Sequence, residues 1–76
     1  MHIGSFNLAK QAVFSHTTKE ELATMDANHQ VETVMKAFED TIETNDFSKY
    51  DAACFVYLFR QNSGLPVTRE ELGLVS

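Results

Sequence analysis

One cysteine, one proline, three glycines and no tryptophan stand in a chain of 76 residues, and each scarcity closes a class of structure. A single thiol, Cys54, cannot form a disulfide within the chain, so the covalent framework of many small secreted domains is excluded. Set in an apolar run, Cys54 reads as a small buried hydrophobe rather than a nucleophile. One proline and three isolated glycines punctuate too few turns for a many-stranded β fold, and they build no phosphate-cradling loop. The longest apolar run, Ala52 to Phe59, is eight residues, whereas a membrane span takes about 20. Residues 1–14 show no cationic leader followed by an apolar core, so no secretory signal is read there. The expectation is a soluble, cytoplasmic protein that does not enter a membrane.

Positive charge is also scarce. Six Lys and Arg face eleven Asp and Glu, for a net charge of −5. The imbalance is concentrated: residues 17–51 carry nine of the eleven acids against three lysines. Gripping a phosphate backbone needs clustered Lys and Arg, so nucleic acid is disfavoured as a partner. The distribution suits contact with a basic protein surface instead.

What is present is helix punctuation and helical periodicity. Thr18-Lys19-Glu20-Glu21 is a capping box, in which hydroxyl and carboxylate each satisfy a backbone donor of the other's residue. Thr68-Arg69-Glu70-Glu71 repeats it, with Val67 and Leu72 placed as a hydrophobic staple. Ser48-Lys49-Tyr50-Asp51 is a weaker version, with Phe47 and Ala52 at the staple positions. Val31, Val34, Met35, Phe38 and Ile42 recur at three- and four-residue steps and predict a helix over about 28–44. Glu32, Lys36, Glu39 and Glu43 form the polar stripe beside it. Leu22 and Met25 fall out of phase with the apolar stripe, which predicts a separate short helix over about 19–26 and a turn at Asp26-Ala27-Asn28.

Residues 48–62 read as the central helix. Tyr50, Cys54, Tyr57 and Leu58 fall on one side, and Phe55, Val56 and Phe59 on the other. A helix apolar all round must be covered all round. The run Cys54 to Phe59 is also good strand chemistry, but the cap before it and Asn62-Ser63-Gly64 after it favour helix. A less regular helix is expected over about 5–14, using Phe6, Ala9 and Val13, and a short final one from Arg69 to near Gly73. The fold class is therefore all-α: one domain over residues 1–76, a compact bundle of four to five short helices around a central apolar helix.

No constellation that carries chemistry survives inspection. His2, His16 and His29 are scattered, and no Cys–His or His–carboxylate cluster has zinc spacing. Gly64 and Glu70 fit the sixth and twelfth places of a calcium loop. Phe59, Gln61 and Ser63 would then take the first, third and fifth places, and phenylalanine cannot ligate. There is no nucleophile elbow, and a chain this short leaves little room for a substrate pocket. The expectation is no enzyme, no metal and no cofactor. Helix-turn-helix is the sharpest alternative, since Glu21-Leu22-Ala23, the turn and Thr33-Val34 resemble that layout. Its turn lacks glycine, its spacing runs one residue long, and its recognition helix would be acidic. An acidic mimic of nucleic acid, blocking a basic protein, is a further alternative.

The reading that remains is a non-catalytic protein–protein interaction module: a small regulator, inhibitor or adaptor, expected to be a homodimer. Glu32, Glu39, Asp40 and Glu43 are the candidate polar contact face. Phe55, Val56, Phe59, Leu74 and Val75 are the candidate apolar interface, chosen because so small an interior has many apolar side chains to cover.

Overall fold

Residues 3–41 and 47–74 are described by the computed structural model, and every regular element in them is helical. The order is α1 (Ile3–His16), α2 (Lys19–Ala23), α3 (Ala27–Thr41) and α4 (Lys49–Asn62), then a single 3₁₀ turn at Glu70–Leu72. The all-α bundle expected from the sequence is the fold that forms, and residues 54–59 are helix rather than strand. The first helix is longer at both ends than its sparse apolar pattern suggested. The last shrinks from a short helix to one turn.

Local chemistry explains where these elements start and stop. The Ser48 hydroxyl accepts from the Asp51 backbone N–H at 3.3 Å, and the Asp51 carboxylate accepts from the Ser48 N–H at 2.9 Å. This cap, which looked the weakest of the three, is complete. Thr68 and Glu71 also close both bonds, at 3.2 and 2.7 Å. Thr18 closes only one: its hydroxyl accepts from the Glu21 N–H at 3.0 Å, while the Glu21 carboxylate turns to the Thr17 hydroxyl. The start of α3 is held by Asp26, whose carboxylate accepts from the His29 N–H at 2.8 Å. The break in register near Asp26 is thus a helix cap.

Two glycines end elements in the same way. Gly64 and Gly73 both take φ of +71°, the left-handed backbone that a side chain disfavours. Gly64 N–H reaches Gln61 C=O and Leu65 N–H reaches Arg60 C=O, at 3.3 and 2.8 Å. After the 3₁₀ turn, Gly73 N–H reaches Glu70 C=O and Leu74 N–H reaches Arg69 C=O, at 3.1 and 2.9 Å. Each glycine turns the following leucine back onto the core, where Leu65 and Leu74 pack.

The helix at the centre is α3, which makes the close backbone approaches to α1, α4 and the 3₁₀ turn. This corrects the expectation that 48–62 is central. Small residues permit the approach: Ala9 and Ala12 on α1, Ala37 on α3, and Ala52 and Ala53 on α4 are all buried. Between them lie Val13, Leu22, Val31, Val34, Phe38, Phe55, Val56 and Phe59. Helix α4 is buried on one side only. Beyond it Tyr50 is 58% exposed and Leu58, at the border of the buried side, 37%, with Cys54 and Tyr57 intermediate.

One buried polar group ties the pieces together. Gln30 is fully buried, donates from Nε2 to Leu22 C=O at 2.7 Å and accepts at Oε1 from Arg60 Nη1 at 2.9 Å. Arg60 also donates to Met25 C=O at 3.4 Å and, through Nε, to Pro66 C=O at 3.0 Å. One guanidinium therefore joins α4 to the α2–α3 turn, to α3 and to the C-terminal segment. That segment is held a second time by the Arg69 guanidinium, 5.8 Å from the centre of the Tyr57 ring.

Candidate functional site

Helices α1 and α4 approach each other less closely than either approaches α3, and phenylalanine rings bridge the gap. Phe6 lies 5.4 Å from Phe55 between ring centres, and Phe14 lies 6.2 Å from Phe55 and 6.3 Å from Phe59. The rings are tilted rather than stacked face to face, an ordinary favourable geometry. They do not close the seam. A groove of about 160 Å³ remains, lined by Phe6, Phe14, Phe55 and Phe59 with Lys10, Lys19, Asn62 and Ser63. Phe6 and Phe14 are only half-buried, so their faces form its wall.

The periodicity of the helices places these residues. Phe6, Lys10 and Phe14 follow at four-residue steps along one side of α1, next to the alanine face that meets α3. Phe55, Phe59 and Asn62 follow along one side of α4. Leu58, three residues on from Phe55 and four before Asn62, extends the same side as an exposed apolar lip. Lys19 arrives from the first position of α2. No carboxylate lines the groove, while two of the chain's six cationic side chains do.

The acidic stripe lies elsewhere. Glu32, Glu39 and Asp40 are exposed on the side of α3 that points away from the buried Val34 and Phe38. Asp40 approaches His16 Nε2 at 4.0 Å, an exposed contact linking the ends of α1 and α3. Glu43 lies outside the described residues. The outer face of α3 thus presents acids with the single Lys36 among them. That arrangement repels a phosphate backbone and weighs against the helix-turn-helix alternative.

The expected apolar interface needs correction. Phe55, Val56 and Phe59 are 1%, 0% and 8% exposed. They belong to the interior of the single chain and leave a partner almost no surface, beyond the ring edges of Phe55 and Phe59 that floor the groove. Leu74 is half-buried against the core, and Val75 lies outside the described residues. The apolar surplus is absorbed because α1 and α3 cover the Phe55–Phe59 side of α4, while the tyrosines turn outward.

A second, wider cleft of about 770 Å³ opens between α3, the start of α4 and the 3₁₀ turn, lined among others by Glu32, Lys49, Tyr50, Glu70 and Glu71. Its most constrained acid, Glu71, is already engaged with the Thr68 N–H. Among the described residues no group of three His, Cys, Asp or Glu side chains converges to hold a metal ion. No helix of the described residues is long and apolar enough to cross a membrane.

By fold, then, the chain is a small all-helical bundle, and the seam between α1 and α4 is open. No family model, no curated protein and no solved structure matches it.

The sequence reading missed Lys10 and Lys19 as site residues, and it placed Phe6 in a core stripe. The signal was present as Phe6-x₃-Lys10-x₃-Phe14 against Phe55-x₃-Phe59. It becomes a groove only once these two stripes face each other, and that depends on α3 standing between their backbones.

Proposed function

We propose that this chain is a non-catalytic protein-binding module whose contact site is the groove between α1 and α4. The observation that carries this is the four-phenylalanine seam: apolar, partly open, and bounded by polar side chains. Binding energy in protein interfaces concentrates where an anchor side chain enters such a pocket, and a polar rim sets orientation. The exposed stripe of Glu32, Glu39 and Asp40 is a separate charged surface, suited to steering a partner during approach. The roles of regulator, inhibitor or adaptor all require only such contacts.

The dimer reading loses part of its original support, because Phe55, Val56 and Phe59, three of the five residues proposed for that interface, fill the interior of one chain. A binding module that works as a single copy is the simpler form of the proposal.

The test compares capture by the native chain with capture by Asn62→Trp, from nuclease-treated lysate of the source organism. Asn62 is exposed at the groove's edge, so a bulky uncharged ring there obstructs the seam without disturbing the core or changing the charge of the rim. The expected result is a stoichiometric protein retained by the native chain and lost with the variant. Equal retention by both would move the contact to another surface. Retention of no protein by either would remove the reading.

A further inference from the structure

The groove is small and its rim carries one sign of charge, and these two properties together define an occupant. A cavity of roughly 150 Å³ lined by apolar side chains holds a benzene-sized group, whereas sites for drug-sized molecules run to about 300–1,000 Å³. At about 160 Å³ the groove therefore has space for one aromatic ring or one branched aliphatic side chain. A long acyl chain or a nucleotide would extend well beyond it. Lys10 and Lys19 are both exposed at its edge, with Asn62 and Ser63 as neutral polar neighbours. Both ammonium groups stand at the exposed rim, within reach of an incoming anion. A chain of net charge −5 thus keeps a locally cationic edge around its aromatic groove.

We propose that the α1–α4 groove docks an acidic, apolar segment of a partner protein, with one aromatic or aliphatic side chain among Phe6, Phe14, Phe55 and Phe59 and neighbouring carboxylates on Lys10 and Lys19. The proposal rests on the binding-module reading and names its partner's chemistry. The anchor supplies affinity by removing apolar surface from water on both sides. The carboxylates supply orientation and exclude basic segments, which the two lysines repel. Leu58, on the same side of α4, gives the segment an apolar edge to lie along. The anchor carries most of the affinity, and the two exposed ion pairs add a smaller share that weakens as salt rises.

The experiment is selection from a displayed library of random twelve-residue peptides against the full chain, followed by titration of the selected peptides into isotopically labelled protein. The expected peptides carry Phe, Leu or another apolar anchor within a turn of Asp or Glu. They shift the amide signals of Phe6, Lys10, Phe14, Phe55, Phe59 and Asn62, and they bind the Lys10→Glu, Lys19→Glu double variant about tenfold more weakly. Replacing the peptides' acids by lysine restores binding to that variant and abolishes it to the native chain. Should the double variant lose its helical signal, Lys10→Gln with Lys19→Gln removes the same charge without reversing it.

Selected peptides that are neutral or basic, or that ignore the lysine substitutions, overturn the proposal. Octanoate binding at the groove as tightly as the peptides would make the occupant a small carboxylate. Concentration-dependent self-association through the same residues would make it a second copy, and either result overturns the peptide assignment. Peptides that map to another surface overturn the groove while leaving the binding-module reading standing. A library that yields no binder overturns both.

Discussion

Phe59 and Gln30 show two ways in which a single residue holds this small chain. Phe59 sits under the seam in contact with Phe14, 8% exposed. Phe59→Ala is expected to cost about 3–5 kcal/mol of folding stability by urea denaturation, the range for deleting a buried ring. Retained stability would place the ring outside the core. Gln30 is the one polar residue among the buried ones described, and both ends of its amide are used. Gln30→Met keeps most of the volume and removes both bonds. The expected loss is about 1–3 kcal/mol, because Arg60 then keeps only its two carbonyl acceptors. A neutral result would mean that apolar packing fully replaces the bonds.

Gln30 also marks a limit of reading the sequence residue by residue. It falls next to Val31 on an otherwise regular apolar stripe, and a glutamine there reads as a boundary of the stripe. Its partners are Leu22 C=O, eight residues back, and Arg60, thirty residues on. Nothing local announces a buried glutamine whose acceptors and donors come from two other elements.

At the level of elements, the boundaries were well marked and the arrangement was not. Thr18, Ser48 and Thr68 each precede a helical turn in the structure as their spacing predicts. The apolar stripe through Val31, Val34 and Phe38 is the buried face of α3. The large apolar side chains of residues 48–62 suggest burial on all sides and hence a central helix there. The structure instead uses alanines to set the centre: Ala9, Ala12, Ala37, Ala52 and Ala53 let backbones approach, and large rings fill the wider gap. Tyrosine can face water with its hydroxyl end, so Tyr50 and Tyr57 never required cover. The caps themselves rank differently from their sequence appearance. Ser48→Ala removes a hydroxyl from a closed box and is expected to cost about 1–2 kcal/mol, while Thr18→Ala, with half a box, costs about 0.5–1 kcal/mol. Parallel melting curves of the two variants check the order, and equal losses would mean that the Asp51 carboxylate contributes little.

For the whole molecule, the distribution of charge and apolar surface separates the working surfaces. The acidic stripe on α3 faces away from the core, and the lysine-edged seam lies between α1 and α4. Among the described residues the large apolar side chains left exposed are Leu8 on α1 and Tyr50 and Leu58 on α4. Three such side chains, with Tyr50 and Leu58 eight residues apart along α4, are few for a contiguous apolar patch. The chain is therefore expected to sediment as a monomer at tens of micromolar, and a stable dimer under those conditions would return the dimer reading. Glu39→Lys with Asp40→Lys is expected to leave stability within about 0.5 kcal/mol, since both are solvated. The association rate with a captured partner is expected to change with it, measured by surface-immobilised kinetics at low salt. An unchanged rate would leave the stripe as solvated surface only.

The Arg60 side chain reaches Gln30, Met25 C=O and Pro66 C=O from one position on α4. Segments far apart in the chain therefore share a single fastener. Amide hydrogens around the α2–α3 turn and in the stretch from Leu65 to Leu74 are expected to exchange with solvent at a common opening free energy, behaving as one cooperative unit. Arg60→Ala would split that unit, leaving the C-terminal stretch to exchange early while α3 stays protected. A segment clasped in this way meets proteases and partners with its 3₁₀ turn already in place.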